Sequence, residues 1–396
     1  MARRQRRALS PLRELLAAES AGAVLIAVGA VVALVWANSP WQASYERLWG
    51  HRLSVPMVGR DLDLDLRHWV NDGLMTAFFL LVGLEIRREL ATGHFARRKA
   101  AVLPVAAALG GMAAPALLYL AIAGASAPRG WGVPTATDIA LAVGVVGALG
   151  SRVPGSARAL LLGLAVVDDV GAIVIIAVAY SSGVELGWLA VAIGCFAIAV
   201  VMRRFVATSV VPFVVIGVAM WIAMFESGMH PTLTGVAMGL LAPVAVVERL
   251  EHRLHPWTSY AIVPLFALAN AGIELSRSHM RDALSSPIAW GVFAGLVAGK
   301  PLGVVVGSRL AIRGGVATPP AGANRRHLLG IGNAAGIGFT VALFVTELAF
   351  TDEAQRDDAK LAILTASIVA ALLALVVLGR GRSVPSTAEP APLAQR

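Results

Sequence analysis

Long apolar segments, each bounded by charged residues or by clusters of proline and glycine, recur along the whole chain. Segments of about 18 or more residues with few charges are typical of helices that cross a lipid bilayer. The pattern predicts about 12 transmembrane helices. The predicted spans are residues 19–37, 68–86, 101–124, 134–150, 157–181, 186–203, 206–226, 230–247, 258–274, 287–309, 327–350 and 359–379.

The composition favours the same class of protein. Hydrophobic residues make up 57% of the chain and charged residues 14%, whereas roughly a quarter of a soluble domain is charged. The sequence therefore predicts an all-α polytopic membrane protein, with residues 1–380 as a single membrane domain and the Pro/Ala-rich segment 381–396 as a disordered tail. Segment 11–20 is predicted to form a short amphipathic helix, and no cleavage motif follows the first span, so we expect that span to be retained. The single cysteine, Cys195, excludes an internal disulfide and is expected to be a small buried side chain.

The net charge of +9 is explained by topology rather than by binding to nucleic acid. With the N-terminus placed in the cytoplasm, 23 Lys and Arg residues fall on the cytoplasmic side and nine on the opposite side. This asymmetry obeys the positive-inside rule, and an even number of spans places both termini in the cytoplasm.

The loop at 37–66 contains a second type of pattern. Asp61, Asp63 and Asp65 alternate with leucines, which indicates a β-strand, and the preceding residues 55–59 would form the turn of a hairpin. An exposed strand has a free edge, so a second copy of the chain could pair with it.

Two adjacent carboxylates, Asp168 and Asp169, lie near the middle of the fifth span. A charge at this depth costs on the order of 2.5–3.5 kcal/mol and therefore indicates function by default. Neighbouring residues of a helix point about 100° apart, so both can face one cavity. Carboxylates held close together do not readily ionise together, so the pair favours either a proton or a hard cation. The alternative is a structural polar pair bonded between helices.

The fourth and eleventh spans are both rich in residues that weaken helices. Asp138 follows Pro134 and Thr137 in the fourth, and four glycines between 330 and 338 interrupt the eleventh. Two interrupted spans in corresponding positions predict discontinuous helices in a transporter with inverted-topology repeats, here 101–181 and 287–379. Asp138 would then compensate a half-helix end at mid-membrane. An ordinary N-cap is the alternative for Asp138.

Lys300 lies beside glycines that recur every four residues from 291 to 307 and form a smooth face for close helix packing. We therefore expect Lys300 to be buried and paired, with Asp168 as its partner. The string at 295–301 lacks the Ser/Thr and the strand of a P-loop and is not one.

Other charged residues lie nearer the ends of the spans. Asp72 could line an aqueous funnel or cap a helix, and Glu85 and Glu89 could be solvated ion-pair partners or a pH-tuned cluster at a cavity mouth. His230 and His255, each followed by proline, are expected to be structural rather than proton relays.

Several long motifs, in a fixed order over roughly residues 10–380, resemble the NhaA-type sodium/proton antiporters of bacterial inner membranes. They are "FFLLVGLEIRREL", "GVPTATDIALAVGVVGALGSRVP", "LAVVDDVGAIVIIAVAY", "PLFALANAG", "GKPLG" and "GIGFT". The resemblance implies a role for each matching residue. Asp169 would bind the exchanged ion with Asp168 as its partner, and Asp168 would pair with Lys300. Thr137 and Asp138 would belong to the broken-helix site, and Asp72 to the extracellular funnel. The pH-response region would contain Glu85, Arg88, Glu89 and Glu251.

The resemblance also implies the activity. We expect a secondary active transporter that exchanges cytoplasmic Na⁺ or Li⁺ for external H⁺ across the bacterial inner membrane by alternating access, electrogenically and under control of pH. Spans 1–2 and 8–9 would form the scaffold, and the hairpin in 37–66 would join two copies into a homodimer. We expect the lipid bilayer as the surroundings, no resident cofactor, no partner nucleic acid and no enzymatic reaction.

Two other classes of protein place carboxylates within a membrane. An intramembrane aspartyl protease needs two on different helices, which Asp138 and Asp168 could supply, but the chain lacks a Gly-x-Gly-Asp motif and has a lysine at membrane depth. A proton-coupled transporter of an organic solute needs a larger site with aromatic residues, and no tyrosine adjoins these carboxylates.

Overall fold

The computed structural model describes residues 21–56, 61–93, 98–181, 183–205 and 211–380. These residues are predominantly helical, with one small β-hairpin. The amphipathic helix predicted for 11–20 and the disordered tail predicted for 381–396 lie outside the described residues.

The first half of the chain forms helices that follow the apolar pattern, with polar or glycine-containing connections. The elements are α1 (Ala21–Ala37), α2 (Gln42–Trp49), β1 (Arg52–Val55), β2 (Leu62–Asp65), α3 (Leu66–Ala91), α4 (Arg98–Ala123), a 3₁₀ helix (Pro128–Thr135), α5 (Ile139–Ala148), α6 (Gly155–Ala179) and α7 (Leu186–Phe205).

The second half continues in the same way. Its elements are α8 (Val211–Glu226), α9 (Leu233–Leu241), α10 (Val244–Trp257), α11 (Val263–Asn270), α12 (Arg277–Ser285), α13 (Pro287–Arg313), α14 (Arg325–Ala335), α15 (Phe339–Ala349) and α16 (Glu353–Gly379).

Among the described residues, seven helical segments are individually long and apolar enough to cross a membrane. Two bent pairs of helices raise the number to as many as nine: α1 with α2, bent by 118°, and α14 with α15, bent by 47°. The protein is therefore a multi-pass helical membrane protein. The three remaining predicted spans, 206–226, 230–247 and 258–274, contain α8, α9 and α11, which have 16, nine and eight residues in the described part of the chain, so the number 12 stays a prediction.

In the described part of the chain, three π-helical turns interrupt otherwise continuous helices. They are Trp69–Leu74 in α3, Thr258–Ile262 between α10 and α11, and Gly295–Gly299 in α13. Such turns are rare and occur frequently at functional sites. The first contains Asp72 and the third directly precedes Lys300, so two of the three adjoin residues singled out from the sequence.

The predicted hairpin in the first loop is confirmed. β1 and β2 pair antiparallel, with Arg52 opposite Asp65 and Val55 opposite Leu62. All four residues of β1 are exposed, whereas Leu62 of β2 is buried against the rest of the molecule. The turn residues 57–60 lie outside the described residues.

Helices α4 and α13 pack closely along the predicted glycine face. A Cβ atom at Gly303 would overlap the carbonyl oxygen of Gly110, and one at Gly307 would overlap that of Ala106. Small residues allow this approach, which in lipid replaces hydrophobic burial as the main source of helix association. Lys300 is completely buried, as the sequence predicted.

Candidate ion-binding site

Two interruptions of helical structure meet in the interior of the protein. Residues 136–138 are extended between the 3₁₀ helix and α5, and residues 336–338 separate α14 from α15. The amide of Asp138 donates a hydrogen bond to the carbonyl of Ile337 at 2.7 Å, and the Thr137 hydroxyl lies 2.9 Å from the carbonyl oxygen of Ala335. The two breaks therefore satisfy each other's backbone groups, which would be costly to leave unpaired away from water.

The carboxylate of Asp138 joins the N-termini of two helices. Its Oδ1 accepts from the amide of Leu141 in α5 at 3.0 Å, so the N-cap interpretation is correct. Its Oδ2 accepts from the amide of Thr340 at 3.1 Å and from the Thr340 hydroxyl at 2.6 Å, at the start of α15. A negative charge is favourable at both helix N-termini, so Asp138 compensates two half-helix ends together.

Asp168 is fixed in a network that leaves it no access to solvent. Its Oδ2 lies 2.7 Å from the Lys300 Nζ atom and 2.6 Å from the Thr137 hydroxyl, so the expected pairing of Lys300 with Asp168 is present. Lys300 also donates to the carbonyl of Thr135, at the C-terminal end of the 3₁₀ helix. The other carboxylate oxygen, Asp168 Oδ1, is buried and has no hydrogen-bond partner among the described residues.

Asp169 has different surroundings, although it is the next residue. Its carboxylate accepts no hydrogen bond from a described residue, and its side chain faces a cavity of about 90 Å³. Thr137 and Asp138 line the same cavity, together with Thr340 and Glu85. A cavity of this size holds a few water molecules or one small ion with part of its hydration shell. Hydroxyl and carboxylate oxygens are the ligands that hard cations prefer.

The mouth of this cavity is lined by residues near the C-terminal end of α3 and around the π-helical turn after α10. They include Glu85, His255 and Thr258. The sequence favoured a structural role for His255, and the structure places it on the cavity wall outside the predicted spans, where burial lowers the pKa of its imidazole.

An ion pair joins α3 to α10 beside this mouth. The Arg88 guanidinium pairs with the carboxylate of Glu251, and it lies 4.0 Å from that of Glu89. Burial raises the pKa of Glu251, and the positive charge of Arg88 acts in the opposite direction. The residues expected in a pH-response region thus lie together at one end of the molecule.

Asp72 lies apart from the cavity. Its Oδ1 is 3.5 Å from Nε2 of His230. The His230 ring packs against Phe344 at 5.1 Å between centroids, and Phe344 in turn packs against Phe79 and Phe266. Along α3, Phe79 lies between Asp72 and the cavity-lining Glu85.

The sequence did not single out a second buried charge cluster. Glu347 of α15 lies 2.6 Å from Lys360 Nζ and 3.1 Å from Arg356 Nη1, both in α16, and its side chain is 11% exposed. Glu347 lies close to the end of an apolar segment, so the pattern placed it at a boundary. The sequence assigns no role to Thr340, because nothing local indicates a contact with Asp138, 202 positions away.

Buried carboxylates at the meeting point of interrupted helices, within a multi-pass membrane protein, define an ion transporter rather than a soluble catalyst. Comparison with known proteins gives the family. A family model described as Na+/H+ antiporter 1 matches residues 13–378, and the chain belongs to this family. Members of the family are secondary transporters and not enzymes, and so is this protein.

Curated relatives cover nearly the whole chain. The Na(+)/H(+) antiporter NhaA 2 of Sorangium cellulosum is 43% identical over 96% of this chain and 91% of its own length. The Na(+)/H(+) antiporter NhaA of Acidovorax sp. is 45% identical over 90% of this chain and 89% of its own length. The NhaA antiporter of Shewanella loihica is 42% identical, with coverage of 91% and 95%.

Proposed function

We propose that this protein exchanges cytoplasmic Na⁺ or Li⁺ for external H⁺ across the bacterial inner membrane, with the ion bound at Asp169. The observation that carries the proposal is the contrast between the two adjacent carboxylates. Asp168 is held by Lys300 and Thr137, while Asp169 faces the cavity beside the oxygen atoms of Thr137 and Asp138. Asp169 is thus the carboxylate that a proton or a cation can reach.

Competition at one carboxylate explains why the transport is an exchange. A cation and a proton each neutralise Asp169, so binding of one displaces the other. A site that carries an uncompensated charge is costly to move through a low-dielectric region. The loaded forms therefore reorient, and the empty form does not, which couples the two fluxes.

Electrogenic exchange requires a second proton, because one proton and one monovalent cation carry the same charge. The Asp168–Lys300 pair is our candidate for its carrier. It adjoins Asp169, and Asp168 Oδ1 has no hydrogen-bond partner among the described residues. A cation that also drew on Asp168 as a ligand would release a proton from this pair.

Alternating access requires that the site open to one side at a time. Glu85 and His255 line the cavity that contains Asp169, whereas Phe79, Phe344 and Phe266 pack together and do not line it. We propose that this form faces the cytoplasm, that the full protein has 12 spans, and that repeats 101–181 and 287–379 supply the two broken helices. Spans 1–2 and 8–9 would form the scaffold, and Asp72 would line the outer funnel.

Several further features of the proposal rest on the sequence asymmetry and on the family. The surplus of Lys and Arg on one side supports cytoplasmic termini. The cluster of Glu85, Arg88, Glu89 and Glu251 at the cavity mouth supports control by pH. The exposed β1 strand supports a homodimer formed through the hairpin in 37–66.

The test of the proposal is transport in proteoliposomes with Asp169→Asn. Addition of Na⁺ or Li⁺ should collapse a pre-formed pH gradient with the unmodified protein, with no organic solute present, and should no longer do so with the variant. Asp61→Asn, at an exposed residue of the first loop, is the matched control and should exchange normally. Wild-type exchange by Asp169→Asn would refute the assignment of this residue.

A further inference from the structure

An apolar groove lies between α12, the beginning of α13 and the beginning of α16, remote from the ion-binding residues. We call it the outer groove. It has a volume of about 330 Å³ and is open on one side. Its walls include Met280, Leu284, Trp290, Phe293, Leu361 and Thr365. In the topology proposed above, these helix ends lie on the external side of the membrane.

The helix that borders the outer groove is short and amphipathic. Arg277, Met280, Arg281 and Leu284 are spaced by three or four residues and therefore share one stripe of α12. Two members of this stripe, Met280 and Leu284, line the groove. The Trp290 indole N–H donates to the carbonyl of Leu284 at 2.8 Å, which holds the end of α12 against α13. Such a helix, with Trp at its junction to a span, is typical of a membrane–water interface.

The charges on this stripe are available to a ligand. The side chains of Arg277 and Arg281 are exposed, and neither makes an ion pair or a hydrogen bond with a residue in the described part of the chain. Asp282 is the nearest acidic neighbour in sequence, but it points about 100° away around the helix. His279, the other basic residue of α12, has different partners. Its ring lies 3.1 Å from the carbonyl oxygen of Glu274 and interacts with Asp357 of α16.

We propose that the outer groove binds an anionic phospholipid of the outer leaflet, with one acyl chain against Trp290, Phe293 and Leu361 and the phosphate between Arg277 and Arg281. An apolar wall bordered by two unpaired guanidinium groups fits an amphiphile with a negative head group. Basic side chains beside lipid-facing grooves bind the head groups of acidic lipids. The site shares no residue with the ion site, so the inference stands independently of the transport mechanism.

The test is a titration of the purified full-length protein with phosphatidylglycerol, read by native mass spectrometry. The double variant Arg277→Gln, Arg281→Gln should bind the lipid roughly 30-fold more weakly, since each basic residue near the head group contributes about 1 kcal/mol. Thr365→Phe should also weaken binding, because the larger side chain fills the groove while both arginines remain. Phosphatidylcholine with the same acyl chains should bind the unmodified protein less tightly than phosphatidylglycerol does. Its affinity should be the same for the unmodified protein and the double variant.

Three controls separate the proposal from loss of fold and from other ligands. Arg277→Lys, Arg281→Lys should restore binding, and Arg129→Gln, at an exposed residue on the same side, should leave it unchanged. Inorganic phosphate should not displace the lipid. The proposal is overturned if the double glutamine variant or Thr365→Phe binds phosphatidylglycerol as the unmodified protein does, if phosphatidylcholine binds as tightly as phosphatidylglycerol, or if phosphate alone competes.

Discussion

At the scale of single residues, surroundings rather than chemistry distinguish Asp168 from Asp169. The first is completely enclosed and bonded to a lysine and a threonine, whereas the second lies on the wall of a cavity. Removal of one partner of a buried ion pair lowers the free energy of unfolding by about 3–5 kcal/mol, because the other charge is left buried without a partner. Substitution of Asp168 would thus affect both the fold and transport, while substitution of Asp169 reports more directly on the ion.

Thr340 offers a sharper test of the site than the carboxylates do. Thr340→Val removes the hydroxyl that donates to Asp138 at 2.6 Å but retains the side-chain shape. We expect the apparent KM for Na⁺ to rise roughly tenfold or more, since a hydrogen bond to a charged group is worth about 1.5–3 kcal/mol. The measurement is Na⁺-dependent proton flux in proteoliposomes.

The matched control is Thr346→Val in the same helix. Thr346 is also buried, but its hydroxyl donates to the carbonyl of Ala342 within α15. This variant should retain a KM close to that of the unmodified protein. Equal effects of the two substitutions would mean that Thr340 acts only through the stability of α15.

At the scale of secondary-structure elements, the two breaks are paired by complementary polar groups. Asp138 accepts from the N-termini of α5 and α15, while Lys300 donates to the end of the 3₁₀ helix and the Thr137 hydroxyl approaches the end of α14. Negative groups thus meet helix N-termini and positive or donor groups meet C-terminal carbonyls. Interrupted helices are tolerated at this depth because each exposed end has a partner.

The close contact of α4 with α13 predicts a large effect from one added methyl group. In Gly303→Ala, the new Cβ would overlap the carbonyl oxygen of Gly110. Overpacking of this kind costs about 1–3 kcal/mol, so the melting temperature in detergent should fall. Gly194→Ala in α7 is the control, because a Cβ there meets no atom within 4 Å. A fall of the same size in both variants would contradict the packing argument.

The link between α3 and α10 predicts a pH dependence of stability. Because burial raises the pKa of Glu251 above its ordinary value of 4.5, the folded protein binds this proton more tightly than the unfolded chain does. The stabilising contribution is therefore complete below pH 4.5 and is lost as the pH rises through the raised pKa. Glu251→Gln removes this titration, so the melting temperature of the unmodified protein, relative to the variant, should fall over that window.

Thermal melting of both proteins across pH measures this difference. Glu185→Gln, at an exposed residue just before α7, is the control for removal of one negative charge and should show a smaller change with pH. A melting temperature of the unmodified protein that rises relative to Glu251→Gln over the same window would show that Arg88 outweighs burial.

At the scale of the whole molecule, the two ends of the proposed transport pathway are built differently. One end holds a cavity with Asp169, Glu85 and His255, and the other holds an aromatic cluster and the buried Glu347–Lys360–Arg356 network. The network joins α15 to α16 beyond the break. In the proposed mechanism, opening of this end would separate Phe344 of α15 from Phe79 and Phe266.

The homodimer proposed through the hairpin leads to a testable prediction. Replacement of residues 52–65 by a short Gly/Ser linker should convert a dimer to a monomer, as measured by light scattering of the purified protein, while cation exchange persists. The double substitution Arg52→Gln, Asp63→Asn removes only an exposed ion pair, which contributes about 0–1 kcal/mol, and should leave the dimer intact. A dimer that survives loss of the hairpin would place the interface elsewhere.

The sequence by itself determined the class of protein, the helical segments and most of the polar residues at membrane depth. These follow from local quantities: the length of an apolar segment, the cost of a charge in lipid and the effect of Gly and Pro on a helix. It also predicted the pairing of Lys300 with Asp168, because a buried lysine requires an acidic partner and few were available.

Only the tertiary structure decided which carboxylate faces the cavity, that Thr340 completes the partners of Asp138, and that Glu347 is buried with Lys360 and Arg356. Each of these depends on how helices far apart in the chain are rotated and crossed. Asp168 and Asp169 are the same residue type in the same apolar segment, so no local signal separates them. The difference arises from what lies about 100° further around the helix, namely Lys300 for one and an open cavity for the other.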